Sequence, residues 1–191
     1  MQSLRVFTAV DANPEVRSAA LRLIERLRTA PVKVTWTKAA NLHYTLKFLG
    51  DVKPEKSADV CRAVQEAVTP FNPFEIVAAG AGAFPSLSHL QTLWLGVGEG
   101  AEPMELVFQA VQRLLEPLGF AREHRRFAPH LTLGRVRGGS PTALKELSEL
   151  IRKYADFDAG SMTVSSVTVY SSTLGSDGPT YSTLSRAAFC A

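Results

Sequence analysis

The stretch NLHYTLKFLG, residues 41–50, places a histidine two positions before a threonine in a run that is otherwise typical of a buried strand. The stretch APHLTLGRVR, residues 128–137, repeats the same His-x-Thr-Leu pattern. The chain has only four histidines, so half of them open this pattern. One such tetrapeptide is most often an edge residue or a satisfied core histidine. Two of them in comparable contexts indicate a shared role.

The alternation of side chains along a strand determines what each motif presents. Successive side chains point to opposite faces, so His43 and Thr45 share one face and the apolar residues around them take the other. His130 and Thr132 follow the same rule. If the two strands face one another across a groove, that groove holds two imidazoles and two hydroxyls, and a ligand or water must satisfy them.

Two imidazoles beside one substrate suit acid and base catalysis. The ordinary pKa of histidine, about 6.5, allows proton transfer in either direction near neutrality. In the cleavage of a phosphodiester, one imidazole takes a proton from the attacking water and the other gives one to the departing oxygen. A strained cyclic phosphate needs no metal for this. A zinc site is a weaker alternative, because neither motif has Cys, Asp or Glu at ligand spacing on the same face.

Size and composition favour one compact unit or two small lobes that share a core. The chain has 191 residues, of which 46% are hydrophobic and 20% charged. No apolar run approaches the roughly 20 residues of a membrane span, and the start lacks a signal-peptide pattern. Cys61 and Cys190 are too few for a disulfide framework. A cytoplasmic protein without a membrane segment is therefore expected.

The order of predicted elements indicates two similar α+β halves, each with one motif strand. The mildly basic balance, +3 with a pI near 9.0, fits an anionic ligand. Periodicity and turn signals predict strands at 4–11, 32–36 and 41–49, helices at 14–31 and 54–70, a hairpin over 74–97, and a helix at 102–118; after the second motif strand they predict a helix at 142–154, a strand at 162–170, a turn at 175–179 and a strand at 180–186.

Four segments carry a resemblance to a known family: NLHYTLKFLGDV, FAPHLTLGRV, the opening LRVFTAVD, and GAFPS with LWLGV in the middle. They resemble the two-histidine (2H) phosphoesterases, specifically the RNA 2′,3′-cyclic phosphodiesterase branch, once called 2′-5′ RNA ligase. The resemblance covers essentially the whole chain. It implies a single bilobal α+β domain over residues 1–191, with two pseudo-symmetric lobes, mainly antiparallel sheets, flanking helices and a central cleft.

The resemblance also implies an activity and roles for the motif residues. The implied reaction is metal-independent hydrolysis of an RNA 2′,3′-cyclic phosphate end to a 2′-phosphate, without a cofactor. His43 corresponds to the proton donor to the leaving 3′ oxygen, and His130 to the acceptor that activates water. Thr45 and Thr132 correspond to the phosphate contacts. The spacing of the residues does not say which imidazole starts protonated.

The resemblance also implies roles for two residues outside the His-x-Thr motifs, but these roles require an irregularity in each strand. In the family, the positions of Phe48 and Arg135 contact the base or the phosphate. Strict alternation would turn both away from the cleft, so a twist, a bulge or a strand end is required near Gly50 and Gly134. Phe48 as an ordinary core residue is an open alternative.

Two more cations are candidate contacts. Lys47 shares the parity of His43 and is a candidate phosphate contact. Arg126 belongs to a basic cluster, with Arg122 and Arg125, just before the second motif, and is another candidate. His89 and His124 are interpreted as surface residues.

The expected partners are single-stranded RNA or tRNA-fragment ends and cyclic nucleotides. No membrane and no obligate protein partner are expected, and the chain is expected to be a monomer. Two alternatives remain open. One is a non-catalytic module that binds RNA ends, and the other is an enzyme of the same fold that acts on another cyclic nucleotide or performs reversible 2′-5′ ligation.

Overall fold

The computed structural model describes residues 3–175 and 178–190, which form nine strands and four α-helices. Their bounds are β1 Leu4–Asp11, α1 Pro14–Leu27, β2 Lys33–Trp36, β3 His43–Val52, α2 Ser57–Val68, β4 Phe74–Ser86, β5 His89–Val97, α3 Ala101–Leu115, β6 Leu131–Gly138, α4 Pro141–Lys153, β7 Asp158–Val164, β8 Ser166–Gly175 and β9 Gly178–Ala188.

The elements match the sequence prediction except near residue 165. The single strand predicted at 162–170 is two strands, because β7 pairs with β4 whereas β8 pairs with β1, far away in the sheet. Both strands bury apolar side chains, so the run looks continuous in the sequence. The predicted turn at 175–179 includes residues 176 and 177, which lie outside the described residues.

One curved path of antiparallel strands organises the molecule. Its order is β7-β4-β5-β6-β3-β1-β8-β9, and β2 also pairs with β6. We call the strands from β7 to β6, with β2, the β6 lobe, and the strands from β3 to β9 the β3 lobe. The predicted α+β fold, with two related antiparallel lobes, is confirmed. The two motif strands, β3 and β6, are the inner strands of their lobes and meet at the centre.

The helices cover the lobes in a crossed arrangement. Helices α1 and α4 pack on the β6 lobe, against β7 and β4, whereas α2 and α3 pack on the β3 lobe. Helix α1 therefore leaves β1 in one lobe to cover the other, and α3 does the reverse. Each lobe takes elements from both halves of the sequence, so neither half contains a complete core.

Local signals position the helices that begin beside the sheet. The Asn13 side chain accepts a hydrogen bond from the Val16 amide at 2.8 Å, and Ser140 caps α4 in the same way through the Ala143 amide at 3.2 Å. Proline occupies the first turn of both helices, where its missing N–H costs nothing. Each cap fixes the residue at which its helix begins.

Gly100, just before α3, provides a test of the packing between β4 and α3. Its φ is +79°, and a Cβ there would lie 2.3 Å from the Glu75 carbonyl oxygen. Gly119 has a similar φ of +93° but no atom within 4 Å of its Cβ position. We expect Gly100→Ala to lower the free energy of unfolding by about 3 kcal/mol or more, and Gly119→Ala by about 1 kcal/mol, because only the first adds a clash to the left-handed strain. Urea unfolding of both variants measures this, and equal losses would contradict it.

Candidate active site

The two motif strands meet at one residue pair, Tyr44 with Leu131. Both of these side chains are fully buried. In an antiparallel register, this pairing sets His43 across from Thr132 and Thr45 across from His130, with all four side chains on the opposite face. The two imidazoles therefore lie diagonally across the point where the strands meet.

Equivalent bulges redirect the residues that follow each motif. In β3, Thr45 pairs with Ala9 but Lys47 pairs with Thr8, which leaves Leu46 unpaired. In β6, Leu133 is the extra residue opposite the β5 pairings at Trp94 and Leu93. Each bulge lies three residues after its histidine, and a bulge reverses the alternation of faces. The irregularity that the sequence argument required is thus present in both strands.

The bulges bring the residues five positions after each histidine into the cleft. Phe48 and Arg135 line it, together with Thr45 and Thr132. The exposed fraction of Phe48 is 64%, so the alternative of a core residue is wrong. The Arg135 guanidinium donates to the Thr92 hydroxyl at 3.1 Å, which holds it over the sheet.

These four residues separate two sides of the cleft. On the His43 side, about 220 Å³ is enclosed by His43, the β2 residues and Tyr181. On the His130 side, about 530 Å³ is enclosed by His130, Phe84 and the segment that carries Arg125 and Arg126. His43 lines only the first side and His130 only the second. A group bound between Thr45 and Thr132 therefore has one imidazole on each side of it.

Aromatic rings enclose His43. The ring centroids of Phe7 and His43 lie 5.0 Å apart in a stacked arrangement, and Tyr181 meets the imidazole edge-on at 5.4 Å. Tyr170 stacks on the other side of this cluster, 5.3 Å from Phe7. The His43 Nε2 atom lies 3.1 Å from the Thr45 hydroxyl oxygen. The ring is therefore fixed by packing, and its Nε2 is directed along the motif.

Asp11 is held in place beneath this cluster. It is the β1 partner of His43, and its carboxylate accepts hydrogen bonds from the Thr168 hydroxyl at 2.8 Å and the Tyr170 hydroxyl at 2.5 Å. Arg186 completes the group with an ion pair at 3.2 Å. The negative charge of Asp11 is thereby fixed near the His43 imidazole.

The backbone orients His130. Its Nδ1 lies 2.7 Å from the Ala128 carbonyl oxygen, and because a carbonyl only accepts, Nδ1 carries the proton. Nε2 is then the atom available to a ligand. For His43, the backbone of Asn41, also two residues upstream, acts to raise the pKa of the imidazole. Phe84 packs edge-on against His130, with centroids 4.9 Å apart.

Burial favours the neutral form of both imidazoles in the free protein. Desolvation lowers the pKa of His43 to about 4, against opposing effects of the Asn41 hydrogen bond and the Asp11 charge, and the His130 charge lowers it further. Desolvation also lowers the pKa of His130, opposed by the Ala128 hydrogen bond and assisted by Arg135. A negative neighbour, Asp11, thus favours the charged form of His43, and a positive neighbour, Arg135, disfavours the charged form of His130.

Lys47 does not reach the cleft, contrary to the sequence expectation of a phosphate contact. The bulge at Leu46 reverses its parity, and Lys47 is buried. Its ammonium donates to the Gln112 side-chain oxygen at 3.2 Å and to the Ala121 carbonyl at 2.6 Å. The same Gln112 oxygen accepts from the Glu123 amide at 2.5 Å. Lys47 thus holds residues 121–123, at the start of the segment that leads to His130, through hydrogen bonds.

The remaining predicted residues lie as follows. Arg126 lines the His130 side of the cleft, so the structure brings it to the site. His89 and His124 are exposed and outside the cleft, as expected. Tyr44 packs into the core, where its hydroxyl has no hydrogen-bond partner among the described residues.

Sequence reasoning missed several residues around His43. Phe7, Tyr170 and Tyr181 enclose the ring, and Asp11 provides the negative charge. None of them belongs to a His-x-Thr motif, and the two tyrosines come from strands more than 120 residues further along the chain than His43. Only Asp11, at the end of an apolar first strand, carried a weak local signal.

Two features of the described residues, 3–175 and 178–190, bear on the class of protein. No helix there is long and apolar enough to cross a membrane. In the same residues, no group of three or more His, Cys, Asp and Glu side chains is placed to hold a metal ion. The cleft is instead built from paired imidazoles, hydroxyls and a guanidinium, which suits a phosphate ester.

The fold and the paired motifs therefore define a bilobal protein with a two-histidine cleft. Residues 10–94 and 95–181 each match the family model described as LigT-like phosphoesterase. The chain belongs to this family, and the two matches correspond to its two related halves.

Curated relatives and solved structures agree with this assignment. A Methanothermobacter thermautotrophicus protein named RNA 2′,3′-cyclic phosphodiesterase is 36% identical over 93% of this chain and 95% of its own length. A protein of the same name from Aquifex aeolicus is 31% identical over 95% of both chains. The structure of E. coli LigT complexed with 3′-AMP superposes with a TM-score of 0.78 at 24% identity, covering 98% of both chains, and supports the fold.

The role of Lys47 can be tested by removing its ammonium. We expect Lys47→Met to lower the free energy of unfolding by about 1–3 kcal/mol, because the Ala121 carbonyl loses its donor. Hydrogen exchange of amides in residues 120–129 should accelerate by more than the global loss explains. Lys53→Met, an exposed lysine just after the same strand, is the matched control and should change neither. Unaltered exchange in Lys47→Met would show that the segment is held by other contacts.

Proposed function

We propose that the protein hydrolyses 2′,3′-cyclic phosphate ends of single-stranded RNA to 2′-phosphates without a metal ion. The observation that carries this proposal is the placement of His43 and His130 on opposite sides of one small site, His43 with its Nε2 beside the Thr45 hydroxyl and His130 with its Nδ1 bound to the backbone. The names of the relatives at 31–36% identity supply the substrate class. Both lobes contribute residues to the site, so the proposal treats them as one catalytic unit.

The phosphate of the substrate lies between Thr45 and Thr132, and Arg135 compensates its charge. A water molecule on the His130 side gives a proton to Nε2 of His130 as its oxygen attacks phosphorus. The bond from phosphorus to the 3′ oxygen breaks on the opposite side, and that oxygen takes a proton from the His43 imidazolium. The product carries a 2′-phosphate and a free 3′-hydroxyl. Proton exchange with solvent then restores the two histidines.

Fixed charges support this assignment of acid and base. Asp11 favours the protonated form of His43, whereas Arg135 disfavours the protonated form of His130. The bound phosphate is itself an anion, and it raises the pKa of both imidazoles. The threonine hydroxyls donate to the phosphoryl oxygens as charge develops in the transition state.

The His43 side also suits a nucleoside. The leaving oxygen belongs to the terminal ribose, so the ribose and base lie on this side, near Trp36 and Tyr181. The exposed ring of Phe48 offers a further surface for stacking. Aromatic faces bind unpaired bases with little sequence preference, which fits an enzyme that acts on RNA ends of varied sequence.

The size of the His130 side favours a second candidate reaction. Its volume is about 530 Å³, whereas a site for one water needs roughly 10–15 Å³ measured in the same way. A 5′-hydroxyl of another RNA can occupy the position of the attacking water, and the same proton transfers then form a 2′-5′ linkage. Adding an RNA with a 5′-hydroxyl to the assay distinguishes joining from hydrolysis by the length of the product.

The catalytic roles are tested by substitution of each histidine. We expect His43→Ala and His130→Ala each to lower kcat by about 10² to 10⁴, because each removes one proton transfer. The assay uses a short RNA ending in a 2′,3′-cyclic phosphate, with chelator present, and identifies the product isomer. His124→Ala, an exposed histidine outside the cleft, is the matched control. A 3′-phosphate product, or full activity of either cleft variant, would contradict the mechanism, and binding without turnover would indicate a non-catalytic module.

The pH dependence provides an independent test. The working form has one proton on the pair, and the pKa of both free imidazoles is lowered, so kcat/KM should peak below pH 6.5 and fall on both sides. Because bound phosphate raises the pKa of both imidazoles, the kcat profile should lie at higher pH than the kcat/KM profile. Steady-state kinetics between pH 4 and 9 measure both profiles. A flat profile between pH 5 and 8, or the opposite displacement, would exclude paired imidazoles.

A further inference from the structure

A second depression lies outside the cleft, between the tip of the β4–β5 hairpin, the end of β6 and one face of α4. We call it the basic groove. It encloses about 690 Å³, about three times the volume of the His43 side. Its cationic walls are Arg137, Lys145 and Arg152, with His89 at the hairpin tip. Apolar side chains, including Leu90 and Leu144, form its floor.

The positive charge of the basic groove is largely uncompensated. No Asp or Glu contributes to its lining. The Lys145 ammonium lies 4.0 Å from the Glu149 carboxylate, but both side chains are mostly exposed, and such a pair contributes little. Among the described residues, no carboxylate lies within ion-pair distance of Arg137 or Arg152. The Arg137 guanidinium is positioned by donating to the Thr35 hydroxyl at 3.0 Å.

Arg137 joins the basic groove to the active site. It lines the groove and also the His43 side of the cleft. Arg135, two residues earlier on β6, lines both sides of the cleft. Residues two apart on a strand are separated by about 7 Å along it. A path of cations therefore runs from the phosphate position along β6 to α4.

We propose that the basic groove binds the sugar-phosphate backbone of the RNA strand on the 5′ side of the terminal nucleotide. This inference rests on the proposed function, which places the terminal ribose on the His43 side. The strand continues from the 5′ oxygen of that ribose, and Arg137 marks the route from this side into the groove. The cations pair with successive phosphates, while the apolar floor contacts riboses and bases without reading sequence.

The basic groove thereby distinguishes an RNA end from a free nucleotide. A mononucleotide with a cyclic phosphate fills the cleft and reaches nothing beyond Arg137. An oligonucleotide adds contacts at Lys145 and Arg152, far from the reacting atoms. These contacts are the same in the ground state and the transition state, so they lower KM and leave kcat unchanged.

Arg152→Glu tests this inference, with Lys153→Glu as the matched control. Both residues are exposed at the end of α4 and both substitutions change the charge equally, but Lys153 does not line the groove. The two substrates are adenosine 2′,3′-cyclic phosphate and a six-nucleotide RNA with the same end. We expect Arg152→Glu to raise KM for the hexanucleotide roughly fivefold to tenfold, with kcat unchanged and mononucleotide kinetics unaltered. The dependence of log KM on log salt should weaken by about 0.7 or more. Lys153→Glu should have little effect.

The outcomes separate this inference from the proposed function. An unchanged hexanucleotide KM in Arg152→Glu overturns RNA binding by the basic groove while hydrolysis stands. Equal effects of Arg152→Glu and Lys153→Glu also overturn it, because they show a general effect of net charge. Binding of the hexanucleotide to His130→Ala, measured by fluorescence anisotropy, does not require turnover. If the unsubstituted protein hydrolyses neither substrate, the proposed function fails. If Arg152→Glu nevertheless weakens binding of the hexanucleotide to the His130→Ala variant, RNA binding by the basic groove stands.

Discussion

The contact between Tyr44 and Leu131 is the constraint on which the site depends. It is the only pairing between β3 and β6 in the described residues, and it joins the two lobes. If more residues of β3 and β6 were paired, neighbouring side chains would fill the cleft. If none were paired, nothing would fix the position of one imidazole relative to the other. One buried pair fixes which residues stand opposite each other and still lets the strands diverge. The crossed packing of the helices then holds the two lobes together around it.

The bulges show how two related strands acquire different tasks at equivalent positions. Both reverse the alternation three residues after the histidine and send the residue at the fifth position, Phe48 or Arg135, into the cleft. The intervening position differs. In β3 it is Lys47, which fastens the segment before His130. In β6 it is Gly134, where a Cβ would lie 2.8 Å from Val34 and 2.9 Å from Trp36, so glycine lets β2 pack closely. The two halves therefore share the His-x-Thr-Leu residues and the bulge, but differ in the two side chains that follow the bulge.

The sequence predicted the parts of the site that depend on local periodicity. Strand alternation placed His43 and Thr45 on one face, and the repeat of the motif indicated two related halves. The same rule failed for Lys47, because a bulge is a property of a strand pair and has no reliable signature in one strand. The aromatic enclosure of His43 was also out of reach, since Tyr170 and Tyr181 approach it only through the pairing of β1, β8 and β9. The division of the predicted strand at 162–170 into β7 and β8 was missed, because buried apolar residues produce the same sequence pattern whichever lobe the strand joins.

The electrostatics of the cleft couple its protonation to its ligand. An empty cleft with Arg135 and two desolvated imidazoles favours neutral histidines, which limits the positive charge that the protein must bury. A phosphate anion reverses this balance, because its charge offsets Arg135 and favours the proton on an imidazole. Asp11 then biases that proton toward His43, which is the acid in the mechanism that we propose. In that mechanism the anionic substrate helps to generate the acid that protonates its own leaving oxygen, and a neutral molecule of the same shape has no such effect.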